Sequence, residues 1–214
     1  MSQPHRPRIC IAYDCLYPWT VGGAERWLTG LARYLAAEGC DVTYITRLQW
    51  DESEPPDIDG VLSDEAWRTA PVIDSFTQQE PVNGQPATER TEVRILYDAS
   101  NLYIAVHAFD SDPDHLVATE MRRDADRLFD EDNFQVILDT FHDSRNGYMF
   151  LTSPLGAKLE QQVFDEGEGG GRGTTSNVNR NWDGVWDAAA RIVDDGWTAE
   201  ISIPFSTVRF VPRD

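Results

Sequence analysis

Two kinds of hydrophobic periodicity divide the chain. In the first part, the apolar run Ile9–Tyr13 has the character of a strand that is buried on both faces. Apolar residues then recur at helical spacing from Ala24 to Leu35, Gly39 supplies a helix stop, and a second apolar run begins at Val42. This pattern predicts one βαβ unit within residues 1–53.

From Glu92 onward, apolar and polar positions alternate with a period of two. LYIAVHAF is apolar on both faces, as in a central strand, while FQVILDTF, GYMFLTS and LEQQVF continue the strand pattern. WDAAARIV and WTAEISIPF flank the turn at 194–196 as a β-hairpin, and DEGEGGGRGTTSNVNRN is expected to be a mobile loop. Several short strands without intervening helices predict a mainly β fold, an antiparallel β-sandwich with Trp67, Trp186 and Trp197 in its core.

Charge is distributed unevenly between the two parts. Residues 1–50 contain five Arg and four Asp or Glu, which leaves 13 Lys or Arg against 33 Asp or Glu in the remainder. The net charges are therefore +1 and −20, which sum to −19. Because an acidic surface repels phosphate backbones and anionic membranes, we expect no nucleic-acid partner and favour neutral or cationic ligands and divalent cations.

The N-terminus, MSQPHRPRICIAYDCLYPW, begins with basic residues but lacks the continuous apolar core of a signal peptide. No apolar run in the sequence approaches membrane-spanning length. We therefore expect no membrane insertion and a cytoplasmic location for the chain as written.

Gly22 and Gly23 lie where the chain turns from strand into helix. One interpretation is that backbone N–H groups at this turn bind an anionic or hydroxylated ligand. The alternative is that the two glycines only allow the backbone to turn. The stretch from Arg8 to Asp51 resembles the first unit of family 4 glycosyltransferases. That resemblance implies a small Rossmann-like βαβ unit and places Gly22, Gly23 and Glu25 in a nucleotide-sugar or acceptor loop. Since no donor-binding half has a counterpart in this sequence, we treat the loop as vestigial and expect no transferase activity.

The second part carries several motifs in a fixed order. IDGVLSDEAW, TEVRILYDASNLYIAVHAFDSDP, DEDNFQVILDTFHD and WDGVWDAAARIVDDGWTAEISIPFSTVRF resemble family 9 carbohydrate-binding modules over residues 58–214. They are most similar to the version that begins large bacterial surface proteins of uncharacterised function. The resemblance implies non-catalytic saccharide binding, an association with carbohydrate catabolism, and a periplasmic or cell-surface setting for the family. It also implies that the last strands of the module lie beyond Asp214, so that an unpaired sheet edge favours self-association.

A sugar ring offers an apolar face for aromatic stacking and a rim of hydroxyls for polar side chains. The resemblance maps one aromatic clamp residue onto Phe129 and places its opposing partner beyond Asp214. Trp182 is a second stacking candidate, because its Asn- and Gly-rich surroundings indicate solvent exposure. Arg122 and Asn133 are candidates for contacts with sugar hydroxyls.

Acidic residues between positions 124 and 133 invite a calcium hypothesis, since calcium prefers hard oxygen ligands. Asp130 and Asp132 are the candidate ligands, and a solvated acidic loop without metal is the alternative. Haem binding through Met or His is a further alternative that the sequence does not favour, because His107 has the position of a core histidine.

Residues 54–61 are predicted to form the junction between the two parts. Proline restricts the chain in ESEPPDIDG, and the acidic residues keep it solvated. The remaining hypothesis is that the chain is a fusion fragment without autonomous function.

Overall fold

The computed structural model describes residues 8–13, 23–46, 55–164 and 177–210. The chain divides into two compact units, Met1–Glu52 and Ser53–Asp214. Within the described residues, none of the helices is both long enough and apolar enough to cross a membrane. Most of the segment predicted to be a mobile loop, residues 165–176, lies outside the described residues.

The first unit has the predicted order of strand, helix and strand: β1 (Arg8–Tyr13), α1 (Gly23–Ala37) and β2 (Asp41–Thr46). β1 and β2 are parallel, with Arg8 opposite Asp41 and Tyr13 opposite Thr46. Helix α1 ends where the N–H of Cys40 bonds the carbonyl of Leu35 at 3.0 Å, and Gly39 has a φ of +86°.

The second unit contains a short helix, α2 (Glu65–Thr69), and two antiparallel sheets. Sheet I has the order β3-β4-β10-β9, and sheet II has the order β5-β6-β7-β8. The strand bounds are β3 (Thr91–Tyr97), β4 (Asn101–Phe109), β5 (Phe134–Leu138), β6 (Gly147–Thr152), β7 (Lys158–Val163), β8 (Val178–Asn179), β9 (Asp187–Val193) and β10 (Gly196–Pro204). The predicted mainly β fold is confirmed, and LYIAVHAF is the inner strand β4.

One hydrophobic core lies between the two sheets. Alternate residues of each strand point to the same face, so a single face of each sheet supplies the core. Its buried members include Val93, Ile104, Val106, Tyr148, Phe150, Trp186, Trp197, Ala199, Ile201 and Ile203. The predictions that Trp186 and Trp197 are core residues are confirmed, and Trp67 is also buried.

The predicted hairpin is formed by β9 and β10. Ala188 pairs with Ile201, and Ile192 pairs with Trp197. Gly196 follows the turn with a φ of +139°, and a Cβ at this position would lie 2.1 Å from the carbonyl oxygen of Ala108. Only glycine fits here, because both the backbone conformation and the close approach of β4 exclude a side chain.

A buried carboxylate, Glu200, lies on the outer face of sheet I. Its Oε2 accepts hydrogen bonds from the N–H groups of Asp59 at 3.0 Å and Gly60 at 2.7 Å. Its Oε1 accepts one from the indole Nε1 of Trp67 at 2.6 Å. Burial raises the pKa of Glu200, while these three donors oppose the shift. The motif IDGVLSDEAW is thus held on strand β10.

The segment before β5 covers the outer face of sheet II. Leu128 is fully buried there and packs in a second cluster with Met149, Leu151, Ala157 and Leu159. Because Met149 and Leu151 alternate with the inward-facing Tyr148 and Phe150, this cluster lies on the opposite face of β6 from the main core.

Candidate functional site

A short 3-10 helix, Asp126–Asp130, positions the predicted clamp residue Phe129. Leu128 anchors this helix in the outer cluster of sheet II, and Phe129 is half-buried against the same cluster. Part of the Phe129 side chain therefore stays accessible while its backbone is held by a buried neighbour.

The buried carboxylate of Glu131 fixes the loop beside this helix. Its Oε2 accepts hydrogen bonds from the N–H groups of Thr119 at 2.7 Å and Glu120 at 2.9 Å, and its Oε1 accepts one from the Thr119 hydroxyl at 2.5 Å. Arg127 Nε lies 3.0 Å from Oε1. The Thr119 hydroxyl, the two backbone N–H groups and the Arg127 cation lower the pKa of Glu131 to about 2. Sequence reasoning did not single out Glu131 among the acidic residues of this segment.

Arg122 extends from the same loop and is 82% exposed. Its Nε and Nη2 bond the two carboxylate oxygens of Glu120 at 3.1 and 2.8 Å. Chiefly through these side-chain bonds, Arg122 lowers the pKa of Glu120 to about 2. The guanidinium is thus oriented by a carboxylate and open to solvent, as a contact with a sugar hydroxyl requires.

Asn133 and Asp132 have structural roles. Asn133 Nδ2 donates to the carbonyls of Leu128 at 2.9 Å and Glu131 at 2.7 Å, and its Oδ1 accepts from Gln135 Nε2 at 2.8 Å. Asp132 Oδ2 accepts from the N–H of Val117 at 2.6 Å. The Asn133 amide thus closes the turn before β5, and its contact with a sugar hydroxyl stays a prediction.

Trp182 packs against two core aromatic residues, and its role as a stacking platform stays a prediction. It is half-buried, and its ring centroid lies 4.7 Å from that of Tyr148 and 5.8 Å from that of Phe150. Gly184 lies directly against the ring, since a Cβ there would be 2.9 Å from Trp182 Cη2. The polar sequence neighbours of Trp182 indicated solvent exposure, but its contacts with Tyr148 and Phe150 bury part of the ring.

A second buried carboxylate, Glu160, fastens the segment around Trp186. Glu160 Oε2 accepts from the indole Nε1 of Trp186 at 3.0 Å, and Oε1 accepts from the N–H of Gly184 at 3.1 Å. Arg123 bonds Glu160 and also Asp183, the latter at 2.7 Å. This arrangement links the loop before the 3-10 helix to the NWDGVW segment.

Metal and cofactor ligation receive no direct support from this geometry. Among the described residues, no group of three or more His, Cys, Asp or Glu side chains is placed to hold a metal ion. Asp130 is exposed, and Asp132 already accepts a backbone bond. Calcium binding by these two residues stays a prediction. His107, the residue considered for haem, lies 3.1 Å from Asp195 and stacks on Phe109 with a centroid separation of 3.8 Å.

The candidate loop of the first unit is only partly described. Gly22 lies outside the described residues, Gly23 begins α1, and Glu25 falls in its first turn. The nucleotide-sugar role of these three residues stays a prediction.

Two cavities lined by described residues of the second unit are further candidate sites. One has a volume of about 170 Å³ and lies at the β5–β6 turn, lined by Phe141, Asn146, Gly147, Tyr148, Gln162, Val163, Phe164 and Arg209. The other has a volume of about 480 Å³ and is lined by residues 74–77 and 86–91, with Phe76 as its aromatic member.

Comparison with known proteins identifies the second unit. The sequence profile of the family described as carbohydrate family 9 binding domain-like matches residues 58–213. A family 9 carbohydrate-binding module from Caldicellulosiruptor kristjanssonii in complex with glucose has a similar fold, with a TM-score of 0.50 and 13% identity over 75% of this chain and 70% of that one. A module from the same organism in complex with cellotriose gives a TM-score of 0.50 and 12% identity, over 93% of this chain and 68% of that one. No curated protein matches the sequence. The chain belongs to the carbohydrate family 9 binding domain-like family.

Proposed function

We propose that the second unit binds saccharides without catalysing their conversion. The observation that carries this proposal is the family match across residues 58–213, on a fold of two antiparallel sheets. Structural relatives in complex with glucose and cellotriose support it at the level of the fold.

Phe129 and Arg122 are the side chains best suited to hold the sugar. An aromatic ring packs against the C–H face of a pyranose, and a guanidinium donates to hydroxyl oxygens in a fixed plane. Phe129 is anchored through its neighbour Leu128, and Arg122 is oriented by Glu120. Such preorganisation lowers the entropy that binding would otherwise lose.

Charge selects among saccharides. With a net charge of −19, the chain repels uronic acids and sulfated glycans at a distance, so neutral glycans are the favoured ligands. Weakening of this repulsion by salt would be measurable for anionic glycans and small for neutral ones.

Titration of the full chain with glucose and cellotriose by calorimetry tests the proposal. We expect Phe129→Ala to weaken binding at the Phe129 site by about tenfold or more, equivalent to about 1.4 kcal/mol or more, which removes that site from the titration. Phe76→Ala is the matched control, because Phe76 is a partly exposed phenylalanine that lines the 480 Å³ cavity. If the unsubstituted protein melts cooperatively but binds neither these sugars nor any soluble or insoluble glycan, the proposal is wrong and a fragment without autonomous function is favoured.

Several finer predictions stay open to their own tests. An unchanged melting temperature with calcium and with a chelator would contradict a stabilising site at Asp130 and Asp132. Turnover of a nucleotide sugar would support the glycosyltransferase alternative for residues 8–51, which no matched protein supports. Three further expectations also remain proposals. They are self-association through a sheet edge, a role in carbohydrate catabolism, and the cellular location.

A further inference from the structure

We propose that the cavity at the β5–β6 turn, the turn cavity, is a second saccharide-binding site that takes a single sugar ring. It is lined by Phe141, Tyr148 and Phe164 together with Asn146, Gln162 and Arg209. The inference rests on the proposed function, because it assigns a second site to the same class of ligand.

Aromatic residues supply the apolar surface of the turn cavity. Phe141 and Phe164 are 38% and 39% exposed, whereas Tyr148 is 3% exposed. Two phenylalanines are thus available for ring contact, and Tyr148 joins the cavity to the core. This combination suits the C–H face of a sugar, which gains from aromatic surface without needing full burial.

The accessible surface of the turn cavity is almost wholly apolar, and two amide side chains lie in its lining. In the described part of the chain, Asn146 donates through Nδ2 to Asp143 at 2.6 Å, which leaves its Oδ1 as an acceptor. Gln162 accepts through Oε1 from Asn179 at 2.9 Å, which leaves its Nε2 as a donor. Aromatic and aliphatic surface therefore carries the contact with a sugar ring, and a bond from a hydroxyl to either amide is secondary.

Local hydrogen bonds hold the turn in one conformation. Asp139 Oδ2 accepts from the N–H of Ser144 at 2.9 Å, and Asp143 Oδ1 accepts from the N–H groups of Arg145 and Asn146, each at 2.8 Å. At the other wall, the N–H of Arg209 donates to the Tyr148 hydroxyl at 3.2 Å. The walls are therefore formed before any ligand binds.

Size and position distinguish this site from the other candidates. About 170 Å³ is below the roughly 300–1,000 Å³ typical of pockets for drug-sized ligands, which favours one ring over an oligosaccharide. The 480 Å³ cavity is lined by one aromatic residue, Phe76, whereas the turn cavity has two partly exposed phenylalanines. Phe129 packs on the outer face of sheet II with Met149, whereas the turn cavity presents Phe141, Tyr148 and Phe164, so the two proposed sugar sites use different aromatic residues.

Calorimetric titration with glucose tests the inference on the full chain. We expect two sites in the unsubstituted protein, one site in Phe129→Ala, and none in Phe129→Ala combined with Phe141→Ala and Phe164→Ala. Phe76→Ala, at 38% exposure, should leave both sites unchanged. Phe141→Leu and Phe164→Leu keep apolar volume, so they test loss of the rings should the alanine variants fail to fold.

The glucose titrations separate loss of the second site from failure of the proposed function. If Phe129→Ala alone abolishes binding, and the Leu variants bind glucose as the unsubstituted protein does, the second site is absent and the proposed function stands. If the Leu variants weaken one of two sites by fivefold or more, the inference is supported, on the scale of about 1 kcal/mol. If the unsubstituted protein binds neither glucose nor cellotriose, both the proposed function and this inference are overturned.

Discussion

The indole Nε1 of Trp67 donates a 2.6 Å hydrogen bond to Oε1 of Glu200, a residue 133 positions later in the chain. Glu200 also accepts the N–H groups of Asp59 and Gly60, so one buried carboxylate joins the start of the domain to its last strand. A buried charge with too few donors is costly, and each of these bonds therefore contributes to the stability of the fold.

Replacing Trp67 should lower the free energy of unfolding by more than the loss of buried ring volume alone would. We expect Trp67→Phe to lower the free energy of unfolding by roughly 1–3 kcal/mol, because it leaves the buried carboxylate short of a donor. Denaturant titration of Trp67→Phe, Glu200→Met and the double variant measures the coupling between the two residues, expected at roughly 0.5–3 kcal/mol. Additive effects of the two substitutions would show that the bond contributes nothing.

Glu131 should make the fold sensitive to acid. Its hydrogen bonds lower its pKa from 4.5 to about 2, so its contribution to stability is complete above pH 4.5 and is lost as the pH falls through about 2. The difference in free energy of unfolding between the unsubstituted protein and Glu131→Gln should therefore be largest above pH 5 and shrink towards pH 2. Glu65→Gln, at an exposed position of α2, controls for the loss of one charge. A difference that is constant with pH would contradict this assignment.

Arg123 and Arg122 are neighbours in sequence with different expected effects. Arg123 bonds the buried Glu160, and its side chain is 42% exposed, so solvent screens the pair in part. We expect Arg123→Met to lower the free energy of unfolding by about 1–3 kcal/mol, less than for a fully buried pair. Arg122→Met, which removes an exposed pair, should change the free energy of unfolding far less, because solvent screens that pair. Equal effects in denaturant titration would argue against a special role for Glu160.

Gly196 should tolerate no side chain. An added Cβ would lie 2.1 Å from the Ala108 carbonyl oxygen, and φ is +139°. We expect Gly196→Ala to lower the free energy of unfolding by more than about 3 kcal/mol, since steric overlap adds to backbone strain. Gly84 also has a positive φ, +80°, but no atom lies within 4 Å of an added Cβ, so Gly84→Ala should show strain alone, about 1 kcal/mol. Similar melting temperatures for the two variants would exclude the steric argument.

Local sequence patterns were sufficient for most strands and for the core residues Trp67, Trp186 and Trp197, but β8 (Val178–Asn179) lies within the segment predicted to be a mobile loop. The β9–β10 hairpin follows from alternation around a short turn, and its pairing of Ala190 with Ala199 is the one that this alternation requires. The burial of Trp67 and Trp186 follows from apolar area, which drives tryptophan inward wherever the fold permits.

Sequence position alone did not reveal the contacts of Trp182 and Asn133. Trp182 lies among Asn, Asp and Gly residues, yet its ring packs on Tyr148 and Phe150 of sheet II. Asn133 has the chemistry of a sugar ligand, but its amide closes the turn before β5. The partners of Trp182 lie outside any local window, whereas those of Asn133 lie within five positions and are brought together by the conformation of the turn.

By itself, the sequence determined the mainly β class, the strand pairs joined by short turns, and the family, because periodicity and motif order are local and ordered properties of the chain. Only the tertiary structure decided which of 37 acidic residues are buried acceptors. Three glutamates take that role, because strand pairing and loop packing bring hydrogen-bond donors to them from other segments of the chain. They are Glu200, Glu160 and Glu131. The turn cavity has the same origin, since the sheet brings together Phe141, Phe164 and Arg209 from separate segments.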